Sequence, residues 1–271
     1  TKTVVDNQSP SISAKANQSR NTNSGICGYT SVGDEFDVTA SDNCSVTSLT
    51  YNLTGATTGS GTDLTGVVFS TGITTVTWTA SDGTNTSTRT FQVTVTDNVA
   101  PVIPQQSNIT SNINTGCGAE VTWLTPVPTD NCSIATFSQI QGPVSGSTFP
   151  VGVTTIRYRA SDPSGNTTFM QFTVTVSDQT APVITCPSGS PFSRNAGTGV
   201  CFYTVSGTEF DATATDGCPG NLVVTNSFDG STSLAGKQIP VGTHAIVWTA
   251  TDGTNTSRSE EHTSELQSRQ V

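Results

Sequence analysis

The chain has 271 residues, of which 32% are hydrophobic and 11% are charged, and its formal net charge is −10. This acidic balance argues against nucleic acid as a partner, because phosphate binding needs clustered Lys and Arg. Thr, Ser, Val and Gly dominate, which favours β-strands and turns over helices. The sequence has no run of eighteen apolar residues, so we expect no membrane insertion in this fragment.

A block of about 80 to 90 residues occurs three times along the chain. Each copy follows a joint with Asp at its start and Pro four positions later: Asp6 and Pro10, Asp97 and Pro101, Asp178 and Pro182. We therefore predict three domains rather than one large enzyme: repeat 1 at 1–97, repeat 2 at 98–178 and repeat 3 at 179–257, with the last strand of repeat 3 missing.

Each repeat carries two cysteines at similar spacing: Cys27 and Cys44, Cys117 and Cys132, Cys201 and Cys218. The second always follows Asp-Asn or Asp-Gly. Regular pairs indicate an oxidising compartment, and we predict one disulfide within each repeat. The seventh cysteine, Cys186, follows the third joint, and we expect its partner on the missing strand; a free thiol or an intermolecular bridge is the alternative.

Short alternating strands recur at equivalent places in the repeats. In Thr75–Ala80 the residues Val76, Trp78 and Ala80 share one face, and the threonines share the other. Repeats 2 and 3 place Tyr158 and Trp248 at the position of Trp78, so all three are predicted core residues. Strands at this spacing, separated by turn residues, predict an all-β chain of tandem immunoglobulin-like antiparallel β-sandwich domains.

Calcium is the cofactor that the acidic residues suggest, and no other cofactor is expected. Repeats 1 and 3 share a string whose acidic residues could supply calcium with oxygen ligands: Glu35, Asp37 and Asp42, and Glu209, Asp211 and Asp216. If these segments are strands, residues at i and i+2 project from one face. The alternative interpretation is that these carboxylates are turn formers and solvated surface charges.

The last fourteen residues, 258–271, differ in composition from everything before them. The string Arg258 to Ser268 resembles the in-frame translation of a common sequencing adapter. We interpret this tail as non-native and exclude it from functional reasoning, while a genuine charged C-terminal segment remains the alternative.

With joints, cysteines and strands in place, the chain resembles the hyalin repeat (HYR) family. Repeat 2 carries the resemblance most fully, in Asp97-x-x-Ala-Pro101, Thr129-Asp-Asn-Cys-Ser133, Phe149-Pro-Val-Gly152 and Phe172-Thr-Val-Thr-Val176. Repeat 1 departs most, with Phe69-Ser-Thr-Gly72 in place of Phe-Pro-Val-Gly. The resemblance implies an immunoglobulin-like fold in an extracellular protein, a role in cell adhesion and no catalysis.

Catalytic motifs are missing from the sequence, and outside the tail the one histidine is His244. We therefore expect no enzyme. The sequence favours a structural or adhesion segment, a stalk or spacer, in a larger secreted or cell-surface protein. A direct adhesin or glycan-binding module, calcium-stiffened or not, is the alternative, with a cell-surface protein or a glycan as partner.

Overall fold

A computed structural model describes residues 1–113, 115–189, 192–218, 220–259 and 266–269. Its elements are all β-strands, and the described residues contain no helix, which confirms the predicted all-β class. The strands of repeat 1 are β1 (Ser11–Ile12), β2 (Gln18–Asn21), β3 (Gly28–Thr30), β4 (Ala40–Ser41), β5 (Ser48–Gly55), β6 (Gly59–Gly61), β7 (Val68–Ser70), β8 (Gly72–Ser81) and β9 (Thr86–Thr96).

Repeat 2 has six strands and repeat 3 supplies the rest. Those of repeat 2 are β10 (Ile109–Ile113), β11 (Gly118–Val121), β12 (Thr136–Gln141), β13 (Ser147–Pro150), β14 (Gly152–Ser161) and β15 (Thr167–Asp178). The remaining strands are β16 (Val183–Thr185), β17 (Ser193–Asn195), β18 (Phe202–Thr204), β19 (Thr213–Thr215), β20 (Val223–Asn226), β21 (Gln238–Pro240), β22 (Thr243–His244), β23 (Trp248–Thr251), β24 (Thr256–Arg258) and β25 (Leu266–Arg269).

Repeat 1 forms a sandwich of one larger sheet and two strand pairs. The sheet has the order β2-β9-β8-β5-β6, and the pairs are β1-β4 and β3-β7. All pairings are antiparallel except β2 with β9, where Gln18 lies opposite Val93 in parallel register. The predicted antiparallel sandwich is thus confirmed, with one parallel pair at the sheet edge.

The core of repeat 1 follows from the alternation of its strands. Val76, Trp78 and Ala80 are at most 1% exposed, whereas the residues between them on β8 are half-buried. They pack with Phe36, Leu64 and Phe69 from the loops and strand pairs opposite. At roughly 1.5–3 kcal/mol for each large side chain removed from water, this layer supplies most of the stabilisation of the repeat.

The other repeats reuse the same arrangement. Repeat 2 has a sheet of order β10-β15-β14-β12, a β11-β13 pair and a single bridge between Val102 and Thr129 at the place of β1-β4. Repeat 3 has β16-β19, β18-β21 and β20-β23-β24. Tyr158 and Trp248 are 3% and 0% exposed, so the predicted core role of the three equivalent aromatics is confirmed.

The backbone of the predicted non-native tail is described only in part. Strand β25 (Leu266–Arg269) pairs in parallel with β17 and antiparallel with β22. This is the pairing that β9 makes with β2 and β8 in repeat 1. The non-native origin of 258–271 stays a prediction, and most of that segment lies outside the described residues.

Two compact units emerge from the contacts between residues. One comprises 1–106, 126–140 and 157–171, and the other 107–125, 141–156 and 172–271. The first contains repeat 1 with segments of repeat 2, and the second contains the other segments of repeat 2 with repeat 3. A search of the described residues for a helix long and apolar enough to cross a membrane finds none.

Candidate functional site: the boundaries between repeats

The most repetitive chemistry in the molecule lies where one repeat joins the next. Three kinds of residue meet there in every repeat: the joint aspartate, the aspartate two positions before the second cysteine, and a hairpin turn between the two long strands. The joint aspartates are Asp6, Asp97 and Asp178, and the aspartates before the second cysteine are Asp42, Asp130 and Asp216.

Each hairpin turn forms where the sequence predicts it. Gly83, Gly165 and Gly253 have φ of 99°, 93° and 100°, a backbone region that glycine adopts without strain. In repeat 1 the Asp82 carboxylate accepts bonds from the N–H groups of Thr84 and Asn85, both at 2.6 Å. These bonds hold the pKa of Asp82 below its usual value.

An asparagine in each turn ties the hairpin to the preceding joint. Asn166 Nδ2 donates to the carbonyl oxygens of Asp97 (3.1 Å) and Val99 (3.3 Å). Asn85 donates likewise to the carbonyls of Asp6 and Gln8, and Asn255 donates to that of Asp178. The joint backbone is therefore held by the repeat that follows it.

Disulfides cross the same boundaries. Cys27 of repeat 1 bonds to Cys132 of repeat 2, with 4.5 Å between Cα atoms, and Cys117 of repeat 2 bonds to Cys218 of repeat 3, with 4.7 Å. Cys44, Cys186 and Cys201 are free. The predicted disulfides within repeats, Cys27–Cys44, Cys117–Cys132 and Cys201–Cys218, are therefore wrong.

The physical reason for the corrected pairing is that the two cysteines of one repeat lie at different boundaries. Cys44 groups with Asp6, at the start of repeat 1. Cys27 follows Ile26, whose carbonyl accepts a bond from Asn131 of repeat 2. The intervening strands β3 and β4 pair with β7 and β1, not with each other, and so keep the two thiols apart.

Glu35 and Asp37, predicted as calcium ligands on a strand, lie in and just after a turn instead. Glu35 pairs with Arg20 at 2.9 Å and accepts bonds from the hydroxyl of Tyr29 (2.7 Å) and the N–H of Val32 (2.8 Å). Burial raises the pKa of Glu35, but these three hydrogen bonds outweigh it and leave the pKa below its usual value. Asp37 accepts a bond from the N–H of Leu64.

Repeat 3 reproduces this arrangement. Glu209 pairs with Arg194 at 2.8 Å and accepts bonds from Tyr203 and Ser206, while Asp211 accepts from Ser233 and Leu234. In both repeats the guanidinium also lies over a buried phenylalanine ring, Phe36 at 5.4 Å or Phe210 at 5.2 Å. These four acidic residues fix loops to the core.

Asp42 and Asp216, the remaining predicted ligands, do lie in acidic groups. The groups whose ligand atoms lie within 4.8 Å of one another are Asp6, Asp42 and Cys44; Asp97, Asp130 and Cys132; and Asp178, Asp216 and Asp252. Asp130 and Asp252 were not among the predicted ligands. Their signal was their position, since each stands where the repeat places an aspartate in the other copies.

Two known proteins are similar to more than half of the chain. Hyalin from Lytechinus variegatus is 36% identical over 168 residues, which are 60% of this chain and 30% of that protein. Hyalin from Strongylocentrotus purpuratus is 35% identical over 192 residues, 68% of this chain and 15% of that protein. The chain thus spans less than a third of the length of either relative.

Solved structures of cadherins align along almost the whole chain, but loosely. The extracellular domain of protocadherin gamma B4 covers 98% of this chain and half of its own length, at a TM-score of 0.33 and 16% identity. Mouse cadherin-23 EC22–24 covers 98% of this chain at a TM-score of 0.29 and 13% identity. The fold assignment therefore comes from the strands themselves.

A family model for the HYR domain matches residues 96–176. The match begins at the joint of Asp97 and ends within β15, so it covers repeat 2. It includes Asp97, Asp130, Asn166 and both cysteines of that repeat. The predicted resemblance to the HYR family is confirmed over repeat 2, where the family model matches.

Proposed function

We propose that this chain is a non-enzymatic spacer segment of an extracellular adhesion protein, in which disulfides between successive repeats limit the extension of the array. The observation that carries the proposal is the pairing of Cys27 with Cys132 and of Cys117 with Cys218. The HYR match and the hyalin relatives support an extracellular, adhesion-type setting. Disulfides persist in such oxidising environments.

The disulfides act on the unfolded chain as well as on the folded one. They close overlapping loops, with sequence separations of 105 and 101, that share the stretch from Cys117 to Cys132. When the repeats unfold under tension, the shortest covalent path between Cys27 and Cys218 runs through that stretch and limits the extension. At about 3.4 Å for each extended residue, the path measures roughly 60 Å, compared with roughly 650 Å after reduction.

Hydrogen bonds at the boundaries complement the covalent links. The turn asparagine of repeat 2 holds the carbonyls of Asp97 and Val99 at the joint. Thr22 of repeat 1 donates to the Asp97 carboxylate from the other side. A joint held from both repeats resists bending better than a flexible linker, whose residues make no such bonds.

Single-molecule stretching tests the proposal. The chain is held by handles at its two ends and pulled to full unfolding, first oxidised and then in reducing buffer. We expect reduction to lengthen the unfolded chain by about 600 Å. Disulfides within repeats would leave roughly 480 Å between Cys27 and Cys218 in the oxidised chain, and that result would overturn the proposal. Unfolding at forces typical of unstructured linkers would contradict the spacer role.

A further inference from the structure

Asp97 is a buried carboxylate in which one oxygen accepts hydrogen bonds and the other accepts none from the described residues. The residue is 4% exposed. Its Oδ1 accepts bonds from Thr22 Oγ1 (3.2 Å), the Val99 N–H (3.1 Å) and Asn131 Nδ2 (3.3 Å). Its Oδ2 is buried and has no hydrogen-bond partner among the described residues. A buried acceptor without a partner is costly, and a charged one more so.

Asp130 faces Asp97 with the same deficit. Its Oδ2 accepts a bond from the Cys132 N–H at 2.9 Å, while its Oδ1 is buried and has no partner in the described part of the chain. One carboxylate oxygen of Asp130 lies within 4.8 Å of one of Asp97. The neighbouring Asn131 adds a third oxygen, Oδ1, that is buried and lacks a partner among those residues.

Within the described part of the chain, no Lys or Arg forms an ion pair with Asp97 or Asp130. The ion pairs of the described residues join Arg20 to Glu35, Arg194 to Glu209 and Lys237 to Asp229. Two carboxylates at this distance repel each other, and burial strengthens the repulsion because it removes the screening solvent. A bound cation would offset the repulsion, and it would contact the carboxylate oxygens that lack hydrogen-bond partners.

We propose that Asp97, Asp130 and Asn131 bind a calcium ion at the boundary between repeats 1 and 2. Calcium takes oxygen ligands at 2.3–2.6 Å, so two ligands on opposite sides lie about 4.8 Å apart, within the observed spacing. Zinc prefers nitrogen and thiolate ligands, and the one sulfur in the group, that of Cys132, is bonded to Cys27. Water completes the six to eight ligands of calcium.

The next boundary has a similar acidic group, in which Gly217 stands in place of Asn131 and Asp252 is added. Asp178 is 4% exposed, and its carboxylate has an oxygen within 4.8 Å of oxygens of Asp216 and Asp252. The Oδ2 atom of Asp216 is buried and has no hydrogen-bond partner among the described residues. At the start of repeat 1, Asp6 Oδ2 is likewise buried without a hydrogen-bond partner among the described residues, and Asp6 groups with Asp42. Recurrence at equivalent positions indicates a built feature of the repeat, with three such acidic groups among the described residues.

This site does not depend on the spacer role, because it is inferred from buried carboxylate oxygens of Asp97 and Asp130 that lack hydrogen-bond partners among the described residues. It would add a second link at the boundary that already carries the Cys27–Cys132 disulfide, since Asp97 ends repeat 1 and Asp130 belongs to repeat 2. Calcium would therefore bridge two repeats. Failure of calcium binding would leave the disulfide-limited spacer intact, so the two proposals can fail separately.

Calcium titration by calorimetry of the full chain, stripped with EDTA, tests the site. We expect saturable binding with Kd of about 10⁻⁴–10⁻³ M, as in extracellular modules. The double variant D97N/D130N should bind one calcium fewer per chain. The matched control, D34N, changes an exposed aspartate outside the acidic groups and should bind as the wild type does.

Two further measurements, of melting temperature and of amide chemical shifts, test the calcium site independently of calorimetry. Without calcium, D97N/D130N should melt no lower than the wild type, because the amides relieve the repulsion; in calcium it should melt lower. In amide spectra of the wild type, the Val99 and Cys132 N–H groups, which bond the two carboxylates, should shift with calcium. Unchanged stoichiometry in the variant, or no shift at these amides with millimolar calcium, would overturn the proposal.

Discussion

Cys27 and Cys132 stand 105 residues apart in sequence and 4.5 Å apart at their Cα atoms. The residue before Cys132, Asn131, donates hydrogen bonds to the Ile26 carbonyl at 3.2 Å and to the Asp97 carboxylate at 3.3 Å. The covalent link and the hydrogen bonds therefore converge on one boundary. The boundary of repeats 2 and 3 has the corresponding disulfide, Cys117–Cys218, but Gly217 stands in place of Asn131.

Removing one inter-repeat disulfide should destabilise the chain strongly. We expect C27S/C132S to lose about 4 kcal/mol of unfolding free energy, because the bridge closes a loop of about a hundred residues. The control C44S/C201S removes two free, exposed thiols and should change stability by less than about 0.5 kcal/mol. Urea unfolding under non-reducing conditions measures both. Equal losses in the two variants would contradict the pairing.

Acid should weaken the chain partly through Glu35 and Glu209, whose pKa values lie below the usual 4.5. A lowered pKa means that the folded state favours the ionised form. The stabilisation is therefore present above about pH 4.5 and is lost as the pH falls through the lower, folded-state pKa. E35Q/E209Q should melt a few degrees below the wild type at pH 7, and the difference should shrink toward pH 3.

The control for this pH dependence is E120Q, which changes an exposed glutamate on β11. It should leave the melting temperature and its pH dependence unchanged. Melting curves between pH 3 and pH 8 compare the three proteins. A difference between E35Q/E209Q and the wild type that stayed constant across this range would show that the two carboxylates contribute nothing through ionisation.

Two leucines give a matched test of the core. Leu64 is fully buried in the core of repeat 1, and Leu124 is 89% exposed. We expect L64A to cost about 3 kcal/mol, because it removes buried methyl groups and leaves a cavity, and L124A to cost less than about 0.5 kcal/mol. Chemical unfolding measures the difference. Similar costs would place Leu64 outside the core.

Loss of a turn asparagine should loosen the joint that it holds. Asn166 Nδ2 donates two bonds to the joint, each worth about 1 kcal/mol, so N166A should speed hydrogen exchange at the Val99 amide by roughly thirtyfold. N52A, at an exposed position of β5, is the control and should leave that exchange unchanged. Mass spectrometry or NMR measures the exchange rate of the Val99 amide in both variants. An unchanged rate in N166A would mean that other contacts hold the joint.

The fold could be predicted from the sequence because its signals are local. Alternation places Val76, Trp78 and Ala80 on one face, and the structure buries all three. Asp82-Gly83 and Asp252-Gly253 predict tight turns, and both glycines have positive φ there. The parallel pairing of β2 with β9 was not predictable in this way, because it joins segments more than seventy residues apart.

The site depended on such distant relationships: the predicted disulfide pairing was wrong, and so was the predicted strand at Glu35 and Asp37, whose calcium role stays a prediction. Cys27 has a nearer cysteine in sequence, Cys44, but folding places them at different boundaries. Glu35 and Asp37 have ligand-like spacing, but they lie in and after a turn and bind Arg20, Tyr29 and Leu64. Local spacing does not show which repeat a side chain faces.

A single tryptic digest without reduction tests whether the disulfides join successive repeats. Cleavage after Arg20, Arg89, Arg157, Arg194 and Lys237 separates the cysteine pairs of the repeats into three peptides: 21–89, 90–157 and 195–237. Disulfides between successive repeats should hold these three peptides together as one species that falls apart on reduction. Three separate peptides, each with its own internal disulfide, would contradict the account.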